Sequence, residues 1–135
     1  MKLAIVGSRD FNDFLYMKKK VAEFGFAPGE LTEIVSGGAR GADSLAEQLA
    51  VEWNLWKKVF PAEWDKYGKS AGYRRNELIV EYSDMIFAFW DGKSKGTQHT
   101  INLTKRYGKP IYVFTDWKEN GTLPESSNAV KTNNI

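Results

Sequence analysis

Leu31-Thr32-Glu33-Ile34-Val35-Ser36-Gly37-Gly38-Ala39-Arg40-Gly41-Ala42-Asp43 is the stretch on which the fold turns. Leu31 to Val35 is rich in β-branched residues and is stopped by Ser36-Gly37-Gly38, the pattern of a short buried strand. After Gly41 the spacing becomes helical, with Ala42, Leu45, Ala46, Leu49, Ala50 and Trp53 on one face. A strand that runs through a glycine-rich turn into an amphipathic helix is the first half of a β-α-β unit.

The same alternation extends in both directions. Leu3 to Val6 predicts a strand ending in Gly7, followed by a helix with Phe14, Met17, Val21 and Phe24 along one stripe. Trp56 to Phe60 predicts a third strand, and a polar loop leads into a helix carrying Ala71, Arg75, Leu78, Ile79 and Tyr82 on its inward stripe. Met85 to Trp90 and Ile111 to Phe114 are the fourth and fifth strands. The helix between them starts near Lys95 or Gly96 and stops at Gly108, with Pro110 beyond. Strands separated by helices predict a three-layer α/β domain: a mainly parallel five-stranded sheet of order 3-2-1-4-5 with helices on both faces. Residues 1–117 form this Rossmann-like domain. From Lys118 the composition turns to Asn, Ser, Thr, Gly and Glu, so residues 118–135 are expected to be a polar, flexible tail.

Composition bounds the chemistry. The 135 residues fit one domain and contain no cysteine, which excludes disulfides, thiolate metal sites and a cysteine nucleophile. The strand at Lys2 leaves no room for a signal peptide, and no apolar run approaches membrane-spanning length, so the expectation is a cytoplasmic protein without a membrane partner. Lysine and arginine number 19 against 17 acidic residues, a net charge of +2, which argues against nucleic acid as the partner and for a locally bound anion. Lys18-Lys19-Lys20 is expected to be a solvated helix face. No cluster of acidic residues or histidines suggests a metal, and no cofactor is implied.

In an open parallel sheet, ligands bind beyond the carboxyl ends of the strands, near the point where strand order reverses. The loops that fall there hold the candidate binding residues. After strand one come Gly7, Ser8 and Arg9, able to bring backbone and donors to a phosphate or ribose, with Asp10 read as the cap of the next helix. After strand two come Ser36, Gly37, Gly38, Arg40, Gly41 and Asp43, either a phosphate cradle at a helix N-terminus or a tight turn in which Asp43 steadies the helix through its dipole. After strand four come Trp90, Asp91, Ser94, Gly96 and Thr97, a second glycine-bearing entry to a helix. Arg75, with Asn76 beside it, sits on an otherwise apolar helix face and needs an anion or a carboxylate there. Trp64, Tyr67 and Trp90 border the crevice and can either pack or stack on a base. His99 is the one histidine, available for acid–base work or for a structural role.

Taken in order, Gly7-Ser8-Arg9-Asp10-Phe11, Val35 to Asp43, Pro61-Ala62-Glu63-Trp64, Ala71 to Asn76, and Phe89 to Ile101 resemble the SLOG superfamily of Rossmann-like nucleotide-binding proteins, in particular its YspA-like branch. The resemblance spans nearly everything before the tail. Its LOG phosphoribohydrolases cleave the N-glycosidic bond of nucleoside monophosphates with an arginine and a glutamate. Arg75 matches the arginine, while Thr100 stands where the glutamate belongs, so an enzyme here would draw on Arg75 with Asp91 or Asp43 as catalytic carboxylates. Other relatives bind single-stranded DNA or sense nucleotides in conflict between phage and host. The leading expectation is therefore a homo-oligomeric protein that senses or sequesters a nucleotide-derived ligand of NAD or ADP-ribose type. A nucleotide N-glycosidase is the alternative, and single-stranded nucleic-acid binding the second alternative.

Overall fold

The computed structural model describes residues 1–118 and 129–132. In chain order the elements are β1 (Lys2–Gly7), α1 (Phe14–Phe24), β2 (Glu33–Ser36), α2 (Ala42–Glu52), β3 (Trp56–Val59), the single turn α3 (Trp64–Tyr67), α4 (Ala71–Tyr82), β4 (Met85–Phe89), α5 (Lys95–Arg106), β5 (Ile111–Phe114) and β6 (Ala129–Thr132). The strands lie in the order β3-β2-β1-β4-β5-β6. The first five run parallel, as the alternation of strand and helix requires, and β1 sits centrally with Ala4 opposite Val35 on one side and Ile86 on the other.

Period-two alternation divides the core. Leu3, Ile5, Ile34, Phe87 and Phe89 face one layer, where they meet Met17 and Val21 of α1 and Ala46, Leu49 and Ala50 of α2. Ala4, Val6, Val35, Ile86 and Ala88 face the other, against Ile79 of α4 and Ile101 of α5. β4 is buried at every residue.

Several expectations change in detail. Residues 129–132, assigned to a flexible tail, instead pair antiparallel with β5, Phe114 opposite Ala129 and Ile111 opposite Thr132. An edge strand offers a row of unpaired N–H and C=O groups, and a short segment containing Val130 and Thr132 takes them up. The rest of that tail lies outside the described residues, apart from a short 3-10 turn at Asp116–Lys118. The loop after β3 holds α3 and a 3-10 turn at Gly68–Ser70. Leu78, placed on the inward stripe by spacing, is 50% exposed, and Asn76 is buried in its stead. Lys20 departs from its solvated neighbour Lys19: it is buried on α1, with its ammonium 3.3 Å from Glu23. The cap of α1 is Asp13, whose carboxylate accepts the Tyr16 N–H at 3.0 Å; Asp10 lies too far ahead of the helix, which begins at Phe14, to serve.

The sheet leaves no space beside its central strand where the crevice begins. A Cβ on Gly7 would lie 2.2 Å from the Phe89 carbonyl oxygen and 2.9 Å from Ala42 Cβ, so β1, β4 and α2 meet only because residue 7 has no side chain. Gly7→Ala is expected to destabilise the fold by about 3 kcal/mol, the scale of overpacking a closed interior. Urea denaturation checks this, and a loss within the noise of a surface substitution would show that the strands part at no cost.

Candidate functional site

Strand order reverses between β1 and β4, whose neighbours carry the chain in opposite directions across the sheet, and an open crevice lies beyond their carboxyl ends. Its cavity of about 460 Å³ brings together Gly7, Ser8, Arg9, Arg40, Asp43, Arg75, Asn76, Asp91, Ser94, Gly96 and Thr97 from four loops and helix starts. A second open cleft of about 400 Å³ adjoins it and holds Gly37, Gly38 and Trp64 with Pro61 and Ala62. Arg9, Ala39, Arg40 and Arg75 line both, forming a wall between them. Among the described residues, no group of three or more His, Asp or Glu side chains is placed to hold a metal ion.

Three expected ligand contacts line neither cleft: Ser36, Gly41 and Trp90. Each holds the loops in shape. The buried Ser36 hydroxyl donates to the Asp43 carbonyl (3.2 Å) or the Glu47 carboxylate (3.0 Å) and accepts the Gly38 N–H at 3.1 Å. Gly41 opens α2 at φ 80°, where a Cβ would meet the Ser8 carbonyl at 2.4 Å. The Trp90 indole N–H donates to the Ser94 carbonyl at 3.0 Å. Asp91 does line the crevice, yet its Oδ1 accepts the backbone N–H groups of Lys93 and Ser94, both at 2.8 Å, shaping the turn before α5. Ser94 then caps α5 by accepting the Thr97 N–H. Thr100, at the position of the LOG glutamate, donates its hydroxyl to the Gly96 carbonyl at 3.3 Å and presents no carboxylate to the crevice.

Asp10, read as a helix cap, and Thr100 also line the crevice, and sequence reasoning missed Val6, Ala39, Ile79, Pro61 and Ala62 as lining residues. The apolar pair Val6 and Ile79 was legible as core, and its second use as a crevice floor follows only from where the strand ends.

Arg75 is the organised cation of the site. Its Nη1 donates to the Gly37 carbonyl oxygen, and its Nε donates to Asn76 Oδ1 at 3.0 Å. A Cβ on Gly37 would lie 2.7 Å from both Arg75 Nη1 and Asp43 Oδ2, so both charged groups close on a bare backbone. With its oxygen turned to Arg75, Asn76 has its nitrogen facing the Gly96 carbonyl (3.3 Å) and His99 Nδ1 (3.1 Å). An amide nitrogen only donates, so His99 Nδ1 accepts and the ring proton sits on Nε2. Burial, and then the charge of Arg106, hold His99 below the usual histidine pKa, which favours that neutral form. His99 lines neither cleft. It stacks near Tyr73, with 4.3 Å between ring centroids, and supports Asn76 from behind.

Asp43 is buried beside Arg75. Its pKa is pushed up from 3.8 to about 6, chiefly by burial, against the opposing pull of the Ala39 N–H it accepts at 3.3 Å and of the Arg75 charge. Arg75 is lowered in turn by its own burial, with Asp43 acting the other way. Desolvation therefore outweighs the attraction between them. A folded-state pKa above the unfolded one means that the folded protein keeps a proton the unfolded chain has lost. Asp43's contribution to stability is complete below about pH 4 and is lost as pH rises through 6, a span of about 3 kcal/mol. The difference in urea stability between wild type and Asp43→Asn, measured at pH 5 and at pH 7.5, isolates this group. The variant is expected to gain on wild type at the higher pH, and the opposite trend would mean that the pair with Arg75 prevails.

Comparison with known proteins bears on both fold and family. No family model matches the sequence. The fold is that of DNA processing protein A: the Streptococcus pneumoniae protein superposes over 89% of this chain at a TM-score of 0.70 and 20% identity. This chain spans about half (52%) of that one. DNA processing protein A of Helicobacter pylori, described for its unique single-stranded DNA binding mode, matches over 88% of this chain and 67% of its own at a TM-score of 0.66 and 21% identity. These neighbours correct the leading expectation of a nucleotide-derived small-molecule ligand and the expectation against nucleic acid as partner, which had left single-stranded binding as the second alternative. Net charge averages over the whole surface, whereas Arg9, Arg40 and Arg75 stand together at one edge of the sheet. In sequence, the gene 61 protein of Mycobacterium phage D29 is 34% identical over 122 residues, covering 85% of this chain and 97% of that protein. The chain belongs to the family of that phage gene 61 protein.

Proposed function

We propose that this protein binds single-stranded DNA across the crevice, with the sugar–phosphate backbone crossing the wall of Arg9, Arg40 and Arg75. The observation that carries this reading is the wall itself. Two open clefts meet along three arginines; the second is lined by these cations with no carboxylate, while the first also holds Asp10, Asp43 and Asp91, so the positive charge is concentrated at the wall and on its second-cleft side. The reading is supported by the fold shared with the H. pylori protein described for its single-stranded DNA binding mode.

In this reading Arg75, held by Gly37 and Asn76, is the fixed phosphate contact, and Arg9 and Arg40 are exposed partners that close on the strand. Ser8 from the loop after β1 and Ser94, Gly96 and Thr97 from the start of α5 line the same crevice. Residues 1–117 constitute the binding domain. Placement in the YspA-like branch of the SLOG superfamily belongs to the same proposal and rests on the order of the motifs from Gly7 to Ile101.

The test is fluorescence anisotropy with labelled oligothymidylate. Binding is expected to weaken as salt rises, with a slope of about −2 in log K against log salt for three neutralised phosphates. Each of Arg9→Ala, Arg40→Ala and Arg75→Ala is expected to cost roughly tenfold, the loss of one charge-assisted contact. Duplex DNA of the same sequence should bind more weakly. Absence of binding at low salt, or binding that ignores all three substitutions, rejects the proposal.

A further inference from the structure

We propose that the second cleft is a base-stacking subsite built on Trp64, taking an unpaired base of the strand whose phosphate rests on the arginine wall. This rests on the single-stranded DNA reading above and adds the place where a base is held.

The sequence offered three aromatics at this edge, and the structure separates them. Trp90 is half-buried, with its indole N–H committed to Ser94, and it lines neither cleft. The Tyr67 ring is already covered: the Arg74 guanidinium lies 4.4 Å from its centroid and the Lys66 ammonium 5.1 Å. Trp64 is 53% exposed and lines the second cleft. Among the described residues, no hydrogen bond or ring contact engages its indole.

Trp64 opens α3, and its Cη2 lies 3.4 Å from where a Cβ on Gly72 would stand, so the ring edge lies beside the side-chain-free position 72 of α4. Pro61 and Ala62 line the cleft with apolar surface, Arg9, Arg40 and Arg75 are its charged groups, and no carboxylate lines it. Apolar walls, an aromatic face and an adjoining cationic wall complement one nucleotide: the flat base against the indole and the anionic phosphate against arginine. A duplex keeps its bases stacked inward and cannot offer one, so this subsite selects unpaired strands.

The experiment compares an oligothymidylate of about 12 nucleotides with an all-abasic phosphodiester of equal length and charge, both by anisotropy at one salt concentration. Wild type is expected to bind the abasic chain roughly tenfold more weakly, the loss of one stacked base. Trp64→Ala should weaken oligothymidylate by a similar factor and leave the abasic chain unaffected, while Trp64→Phe retains most of the preference. Because Trp64 is exposed, these variants are expected to keep the wild-type urea midpoint, which is measured alongside. If wild type holds both chains equally, or Trp64→Ala keeps the full preference, the stacking subsite is overturned and phosphate binding stands. If wild type binds neither, both proposals fall. Oligouridylate bound more tightly than oligothymidylate would redirect the subsite to RNA.

Discussion

A guanidinium half-buried on the inner side of a helix needs acceptors for the donors it turns inward, and much of the crevice follows from how Arg75 finds them. Its Nη1 reaches the Gly37 carbonyl, its Nε reaches Asn76, and its charge lies beside Asp43. Each partner imposes a further condition. Residue 37 has to lack a side chain, since a Cβ there would collide with both Arg75 and Asp43. Asn76 has to be buried with a fixed amide orientation, which commits Gly96 and His99 to its nitrogen. The turn after β2, the first half of α4 and the start of α5 are thus tied through one cation, and α4 packs closely on α5.

The same arrangement shows why charge averaged over the chain is a poor guide to the charge at the crevice. A net charge of +2 describes a surface on which lysines and carboxylates largely cancel, as in Lys18 with Glu52 at 2.8 Å. Association with a polyanion depends on the local field, and a trough flanked by low-dielectric protein concentrates that field. Arg9 and Arg40 come from separate loops and Arg75 from a helix, so their convergence is a product of topology and is invisible to a sum over residues.

Much of the fold was legible because hydrophobic periodicity reports burial directly. The runs from Leu3 to Val6 and from Met85 to Phe89 read as strands buried on both faces, and they are. The crevice was legible in outline because glycine-bearing turns between strand and helix fall at the carboxyl edge of any parallel sheet. What sequence pattern could not separate was lining from support. Ser36, Gly41 and Trp90 belong to the right loops, yet their polar atoms and bare backbone are spent inside those loops. The division between one pocket and two adjoining clefts depends on Pro61, Ala62 and α3, in a segment whose polar composition reads as loop. The strand β6 was missed because its pairing partner is an edge created by the rest of the fold, while its own composition is that of a tail.

Asp43 is the least comfortable group in a site for an anion, and its position is informative for that reason. A buried carboxylate beside the half-buried Arg75 offsets part of the guanidinium charge in the unliganded crevice. The same carboxylate accepts the Ala39 N–H, which keeps the glycine-rich turn open. Under the proposed function, a phosphate arriving at Arg75 takes over the balancing role and leaves Asp43 facing a second negative charge. The proton affinity of Asp43, already raised by burial to the edge of the neutral range, then rises further. Under that same reading, a phosphate beside Asp43 adds to the burial that already raises its proton affinity, so strand binding and protonation of Asp43 favour each other.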